Sequence, residues 1–342
     1  MGRKPSGRPT SFDIAYRAGV SQPTVSRALR GDKSVSAKTR ARIEAIASEL
    51  NYTVDKNASS LRSQRSNTLA LLFFEEPSPD EGTINPFFLA MVGSITRACA
   101  EKGLDLLISF QRMGDDWHMQ YQDSHRADGL ILLGYGDYEA YSERLDQLRS
   151  QGTVFARWGS VSNDEAGVTL GSDNRQAGRM AGEHLIERGR RAIAFIGQAD
   201  RHYPEFAARY EGLCAALREA DIECLPERQI DALTGEDEGY RATQELLARG
   251  CGFDAVFAGS DLIAIGTLRA LAEAGKRVPE DVAVLGFDDI PAARLTSPPL
   301  TTVSQDIRGA GDRLVDMVLA QIEGGPRPDT RMPTKLVVRG TT

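Results

Sequence analysis

Seven short apolar runs, separated by stretches of helical periodicity, constrain most of this chain: LALLFF at 69–74, LDLLISF at 104–110, GLILL at 129–133, TVFA at 153–156, AIAFIG at 192–197, DAVFAG at 254–259 and VAVLGF at 282–287. Such runs suit strands covered on both faces, and covering both faces of a sheet takes crossover helices, so strands and helices alternate and the sheets are parallel. Seven or more strands across residues 67–342 suit two doubly wound subdomains better than a single sheet.

Residues 9–52 follow another rule. Thr10 and Asp13 are spaced as a capping box, which opens a helix from about Phe12 to Ala18 that Gly19 ends. Ser21 can cap the next helix, Gln22 to Leu29, where Pro23 falls in the first turn and costs no hydrogen bond. Val25 and Leu29 then pack on Ile14, Ala15 and Ala18, while a third helix after Ser36 contributes Ile43, Ile46, Ala47 and Leu50. A helix-turn-helix of this kind presents Gln22, Pro23, Ser26 and Arg27 outward, with Thr10, Ser21 and Thr24 beside them. Arg27 is the sharpest candidate base reader, because a guanidinium pairs bidentately with guanine O6 and N7; contact with phosphate alone is the competing role.

Charge is segregated in the same way. Residues 1–66 hold 13 Lys/Arg against 5 Asp/Glu, a formal +8, and the rest of the chain holds 28 against 43, a formal −15. A basic head suits phosphate neutralisation, and an acidic body is repelled by it. Cys99, Cys214, Cys224 and Cys251 are widely spaced without a CxxC, which favours reduced buried thiols over disulfides or a metal site. His118, His125, His184 and His202 have no metal-ligand spacing. No apolar run reaches the roughly 18 residues that cross a bilayer, and MGRKPSGRPT lacks the apolar core of a signal peptide, so a cytoplasmic protein is expected.

Enzyme chemistry has little support. GYGDYE at 134–139 starts as a dinucleotide fingerprint but has Glu139 where its third glycine belongs, and no GxxxxGK follows a strand. Asp288 and Asp289 resemble an acid–base couple, yet neighbours on an extended strand point oppositely. No catalytic residue, cofactor or metal is expected.

The head resembles that of the LacI family of bacterial transcription regulators. GVSQPTVSRAL matches the family's turn and recognition helix, and NASSLRS within residues 53–66 matches its hinge helix. The resemblance makes Leu61 the leucine wedged into the central minor-groove step, flanked by Asn57, Ser59, Ser60 and Arg62; such a wedge costs unstacking and bends the duplex. NPFF at 85–88, GSDNRQAGRMAGEHLIERGRRAIAFIG at 171–197, SDLIAIG at 260–266 and GFDDIPAARLTSPPLTTVSQD at 286–306 extend the likeness to the family's effector-binding body and to periplasmic sugar-binding proteins. It implies an all-α helix-turn-helix domain at 9–52, a hinge at 53–66 and a two-lobed, periplasmic-binding-protein-like effector and dimerisation domain at 67–342.

Ligands of open α/β sheets bind beyond the carboxyl ends of strands. By family correspondence Asp288 accepts effector hydroxyls and Arg209, in YPEFAARYEGL, clamps the ligand from the other side. Phe88 then lines the cleft and Trp158 offers a stacking face, although each equally suits a core. Arg157, Ser260 and Asp261 fall at strand ends on the same opening, and Asp115–Asp116–Trp117–His118 is either pocket or polar loop. The best-known family member has an aspartate near Arg157 and an asparagine near Ser260, so its sugar does not transfer. The implied protein is a homodimer that binds a palindromic operator and responds to a mono- or disaccharide, by release or, as in purine-type relatives, by tightening. KLVVRGTT ends without leucine heptads, which favours a dimer over a tetramer. A sugar-binding protein without a DNA function and an architectural nucleoid protein are the alternatives. The basic head argues against the first and the large two-lobed body against the second.

Overall fold

Among the described residues, the first unit contains three short helices. The computed structural model describes residues 9–29, 31–52, 65–73, 84–111, 115–134, 137–161, 168–325 and 331–342, and contacts divide the chain into Met1–Ser66 and Asn67–Thr342. Helices α1 (Ser11–Ala18), α2 (Gln22–Leu29) and α3 (Ala37–Glu49) enclose Ile14, Ala15, Ala18, Val25, Ala28, Val35, Ile43 and Ala47. Gly19 stops α1 at φ 62°, in the left-handed region that favours glycine. The Asp13 carboxylate accepts from the Thr10 amide at 2.8 Å and from its hydroxyl at 2.7 Å. The hydroxyl therefore donates to the carboxylate, and it is the Thr10 carbonyl that takes the Asp13 amide, at 3.1 Å. Ala28, not Leu29, takes the inner position of α2: its small side chain lets the helices approach, and Leu29 covers the rim, half-buried, as Ile46 and Leu50 do.

Among the described residues, the second unit contains two six-stranded sheets. The first has the order β11-β5-β4-β3-β1-β2, from β1 (Thr68–Phe73), β2 (Asp105–Phe110), β3 (Gly129–Leu133), β4 (Phe155–Trp158), β5 (Thr169–Ser172) and β11 (Arg331–Met332). The other runs β12-β10-β9-β8-β6-β7, from β6 (Ile193–Ile196), β7 (Gln229–Ile230), β8 (Ala255–Ala258), β9 (Ala283–Asp288), β10 (Thr301–Gln305) and β12 (Thr334–Val337). All pairings are parallel except β10 with β12, where Thr302 faces Val337. Helices α4 (Pro86–Glu101), α5 (Tyr138–Ser150) and α10 (Ile307–Glu323) belong to the first lobe. The second lobe holds α6 (Asn174–Glu187), α7 (Pro204–Glu219), α8 (Glu236–Arg249) and α9 (Asp261–Glu273). Covered on both faces, β1 and β3 bury their apolar residues completely.

The chain passes between lobes after β5, after β10 and between β11 and β12. Asp173 and Asp306 cap the helices that follow the first two crossings, accepting from the amides of Gln176 at 3.0 Å and Gly309 at 2.9 Å. Close packing in the second lobe depends on Gly178 of α6: a Cβ there would lie 2.0 Å from the Arg209 carbonyl of α7. The fourth apolar run lies later than expected, at 155–158 instead of 153–156, because a strand can hold the charged Arg157 once its guanidinium is hydrogen-bonded. The thiol expectation fails for one pair. Cys214 and Cys224 form a disulfide, since the end of α7 and the loop after it bring their Cα atoms to 5.4 Å; Cys99 and Cys251 are free.

Candidate nucleic-acid interface and effector cleft

On the head, Thr10, Ser21, Pro23 and Arg27 are exposed and Gln22, Thr24 and Ser26 are half-buried, all at the start of α1 or along α2. Gln22 is fixed by donating to Ser11 Oγ at 3.1 Å, and the Ser21 and Thr24 hydroxyls meet at 2.9 Å. Arg27 Nε reaches back to the Pro23 carbonyl at 3.4 Å. A helix carrying short polar side chains and one exposed guanidinium can enter a major groove without a bulky obstruction. Asn57, Ser60 and Leu61 lie outside the described residues.

In the body, the strongest polar construction stands at the carboxyl ends of the strands in the second lobe. Asp288 ends β9 at φ 115°, a conformation costly for a residue with a side chain, and it is 2% exposed. Gln305, at the end of β10, donates from Nε2 to Asp288 Oδ1 at 2.7 Å and accepts through Oε1 from the Ser172 hydroxyl at 2.6 Å. Arg209 of α7, 1% exposed, donates to Asn174 Oδ1 at 2.9 Å and to the Gly259 carbonyl, and its guanidinium carbon lies 3.6 Å from the centre of the Phe287 ring. Asn174 in turn donates to the Ser172 carbonyl at 3.2 Å. Ser172 and Gln305 end the two strands from which the chain next crosses between lobes, so this network joins an acid–arginine pair to the crossings themselves. Burial pushes the Asp288 carboxyl up to about 7, against the pull of the Arg209 charge and the Gln305 hydrogen bond.

Asp261 sits beside this network as a brace. Its Oδ1 accepts from Thr302 Oγ1 at 2.5 Å and its Oδ2 from the Ile290 amide at 2.8 Å, fixing the turn that follows Asp288. Burial, then the neighbouring Asp288 charge, raises its pKa well above the usual carboxylate range. Ser260 caps α9 by accepting the Ile263 amide at 3.3 Å. Asp289 lies just past the end of β9 at φ 54°, so the alternation of an extended strand does not apply to it; it pairs instead with Arg339 at 2.5 Å.

The first-lobe candidates are built differently. Arg157, 1% exposed, lies within β4 and donates to Thr169 Oγ1 at 2.9 Å, Tyr141 Oη at 3.1 Å and the Ser160 carbonyl at 3.2 Å. Trp158 and Phe88 are both buried: Phe88 packs edge-on to Phe87 at 5.3 Å, and Trp158 meets the same ring at 5.9 Å. Asp116 caps the π-helical turn His118–Asp123 by accepting the Met119 amide at 3.0 Å; Trp117 is buried, and His118 meets Thr153 Oγ1 at 2.9 Å. That segment is therefore locally structural. Asn174, Ser172 and Gln305 are the residues that sequence reasoning left without a role, although all three lie inside the matched landmarks: Asn174 opens α6, and Ser172 and Gln305 end β5 and β10, two strands with few apolar residues to mark them.

A basic helix-turn-helix unit joined to a two-lobed α/β body with a buried polar network between strand ends defines a ligand-responsive transcription regulator. Residues 12–55 match the model described as bacterial regulatory proteins, lacI family, and residues 183–342 that of a periplasmic binding protein-like domain. The HTH-type transcriptional repressor PurR of Erwinia tasmaniensis is 32% identical over 318 residues, 92% of this chain and 90% of its own. The structure of the transcriptional regulator CelR in complex with cellobiose aligns with a TM-score of 0.72 and 30% identity, covering 98% of this chain and 100% of that one. The lac repressor dimer bound to operator and the anti-inducer ONPF gives a TM-score of 0.80 at 26% identity, covering 98% and 99%. The chain belongs to the lacI family of bacterial regulatory proteins: it is a DNA-binding transcription regulator and not an enzyme. Among the described residues no helix is long and apolar enough to cross a membrane.

Proposed function

We propose that this regulator is a cytoplasmic homodimeric repressor of carbohydrate uptake or catabolism genes, released from a palindromic operator by a mono- or disaccharide bound between its lobes. The observation that carries this reading is the Asp288–Gln305–Ser172 relay beside Arg209 and Asn174. A carboxylate and a guanidinium, held by partners that also fix the lobe crossings, suit a neutral polyol: one accepts its hydroxyl protons, the other donates to its oxygens. The cellobiose in a relative of this length and fold supports the same ligand class. On the head, Arg27 reads guanine, Gln22, Pro23 and Ser26 face the groove, Thr10, Ser21 and Thr24 meet the backbone, and Asn57, Ser60 and Leu61 act at the hinge.

Coupling follows from placement. A ligand that draws Asp288 and Arg209 together acts on Gln305 and Ser172, and hence on the crossings, so binding biases lobe angle; linkage of about 1–3 kcal/mol then shifts operator affinity about 5- to 150-fold. Thermal-shift screening with mono- and disaccharides tests the ligand class, because a ligand that binds only the folded protein raises its Tm. A sugar that stabilises the wild-type protein but not Asp288→Ala supports the reading. Equal stabilisation of both proteins removes Asp288 from it.

A further inference from the structure

Residues 200–205, which lead from β6 into α7 of the second lobe, are fastened to the first lobe along their length. The His202 carbonyl accepts the Tyr138 amide at 2.8 Å. Its ring Nδ1 lies 2.8 Å from Asp137 Oδ1, and Nε2 lies 3.7 Å from Glu139 Oε2. Arg201 Nε donates to Glu139 Oε1 at 2.8 Å, and Glu205 Oε1 accepts the Ser160 amide at 2.6 Å. Asp200 shapes the turn from within, its Oδ1 taking the His202 amide at 2.9 Å and its Oδ2 the Gln198 side chain at 2.8 Å.

We propose that this segment is a strap across the cleft and that His202 is its positioning residue, whose positive charge holds the two lobes together. Three carboxylates face the ring: Asp137 and Glu139 from the start of α5, and Asp200 from its own loop. Arg201, the neighbouring cation, pairs with Glu139. An imidazolium at this point satisfies carboxylates of the opposite lobe, whereas a neutral imidazole leaves Asp137 and Glu139 facing each other across a ring with one N–H. His202 touches no effector in this scheme; it sets the fraction of molecules with the lobes closed, and a ligand that binds the closed form gains in proportion.

The direction of the pH effect follows. The hydrogen bond to Asp137, and then the attraction of Asp137, Glu139 and Asp200, raises the His202 pKa above its ordinary value. The strap is therefore complete below the ordinary histidine range, near pH 6.5, and slackens as pH rises through the raised value. The ion pairs of the strap are partly open to solvent, which limits the expected change to about two- to fivefold in the open fraction.

Hydrogen–deuterium exchange on the full chain, from about pH 5.5 to about pH 8 and corrected for intrinsic exchange rates, tests this across the histidine range. The readout is protection of the Tyr138 and Ser160 amides, both of which donate to the strap. In the wild-type protein that protection should fall about two- to fivefold with rising pH. His202→Gln should hold it flat at the high-pH level and His202→Arg, a permanent cation, near the low-pH level, with unchanged exchange in β5 and β10 as the control for folding. The same pH dependence in wild type and His202→Gln, or an Arg variant indistinguishable from the Gln variant, overturns the proposal. No ligand enters the measurement, so it stands or falls separately from the sugar reading.

Discussion

The head and the second lobe of the body place their polar side chains in opposite ways. On α2, Arg27 and Pro23 are exposed above a core of eight buried residues; in the cleft, Asp288, Arg209 and Gln305 are at most 5% exposed and hydrogen-bonded to partners from four different elements. The difference matches the partners. A polymer with a charged surface is met by groups that reach outward and cost little to present, since phosphate attraction is long-ranged. A small polar ligand must be desolvated, so its partners are already desolvated and oriented, and the fold carries that cost in a raised carboxyl pKa and a positive φ at Asp288.

The sharpest way to break this contrast is to remove the head's support. Ile14 is fully buried in a small core, so Ile14→Ala should cost about 2–5 kcal/mol, enough to unfold a unit of this size. Operator binding should vanish while the body's calorimetric transition stays in place; a shifted body transition would mean that the two units are not independent.

Next in size is the cost of burying Asp288. Below the ordinary carboxylate range the group is protonated both folded and unfolded. As pH rises from 3.8 toward about 7, the unfolded chain releases its proton while the folded chain keeps it, so stability falls. The fall is on the order of 4 kcal/mol across that window and stops above it. Asp288→Asn should erase this component, seen as a flatter urea midpoint against pH than the wild-type curve. Parallel curves would show that Asp288 titrates normally.

Smaller effects should be confined to one region each. Gly178→Ala drives a Cβ into the Arg209 backbone, 2.0 Å from its carbonyl oxygen, and should cost about 1–3 kcal/mol while weakening effector binding with the operator affinity unchanged. Arg27→Ala should cost about 1–3 kcal/mol of operator affinity and relax the base preference at one position, measured across a set of single-base operator variants. A uniform loss over all variants would restrict Arg27 to phosphate.

Much of this contrast is legible in the residues. The helix ends of the head follow from Thr10, Asp13, Gly19 and Ser36, because caps and left-handed stops are local devices, and Asp288 and Arg209 came from resemblance to a known family. What stays hidden depends on distant neighbours. β5 (TLGS) and β10 (TTVSQ) have too few apolar side chains to read as strands, yet they end in Ser172 and Gln305, which meet only because the sheets bring residues 133 positions apart together. Arg157 reads as a strand end because a charge is costly inside a sheet until Thr169 and Tyr141 are seen around it. Phe88 and Trp158 have the same composition whether they face a ligand or a core. The Cys214–Cys224 pair and the strap at 200–205 carry no sequence signature at all.

The central claim is that occupancy of the cleft changes the grip of the head. Fluorescence anisotropy of a labelled palindromic operator, titrated with protein in the presence of each sugar found by thermal shift, tests it directly. The account predicts a sugar that shifts the wild-type Kd by about 5- to 150-fold and leaves Asp288→Ala unmoved, with equal affinities of both proteins in its absence. A sugar that binds the body and leaves operator affinity unchanged would contradict it.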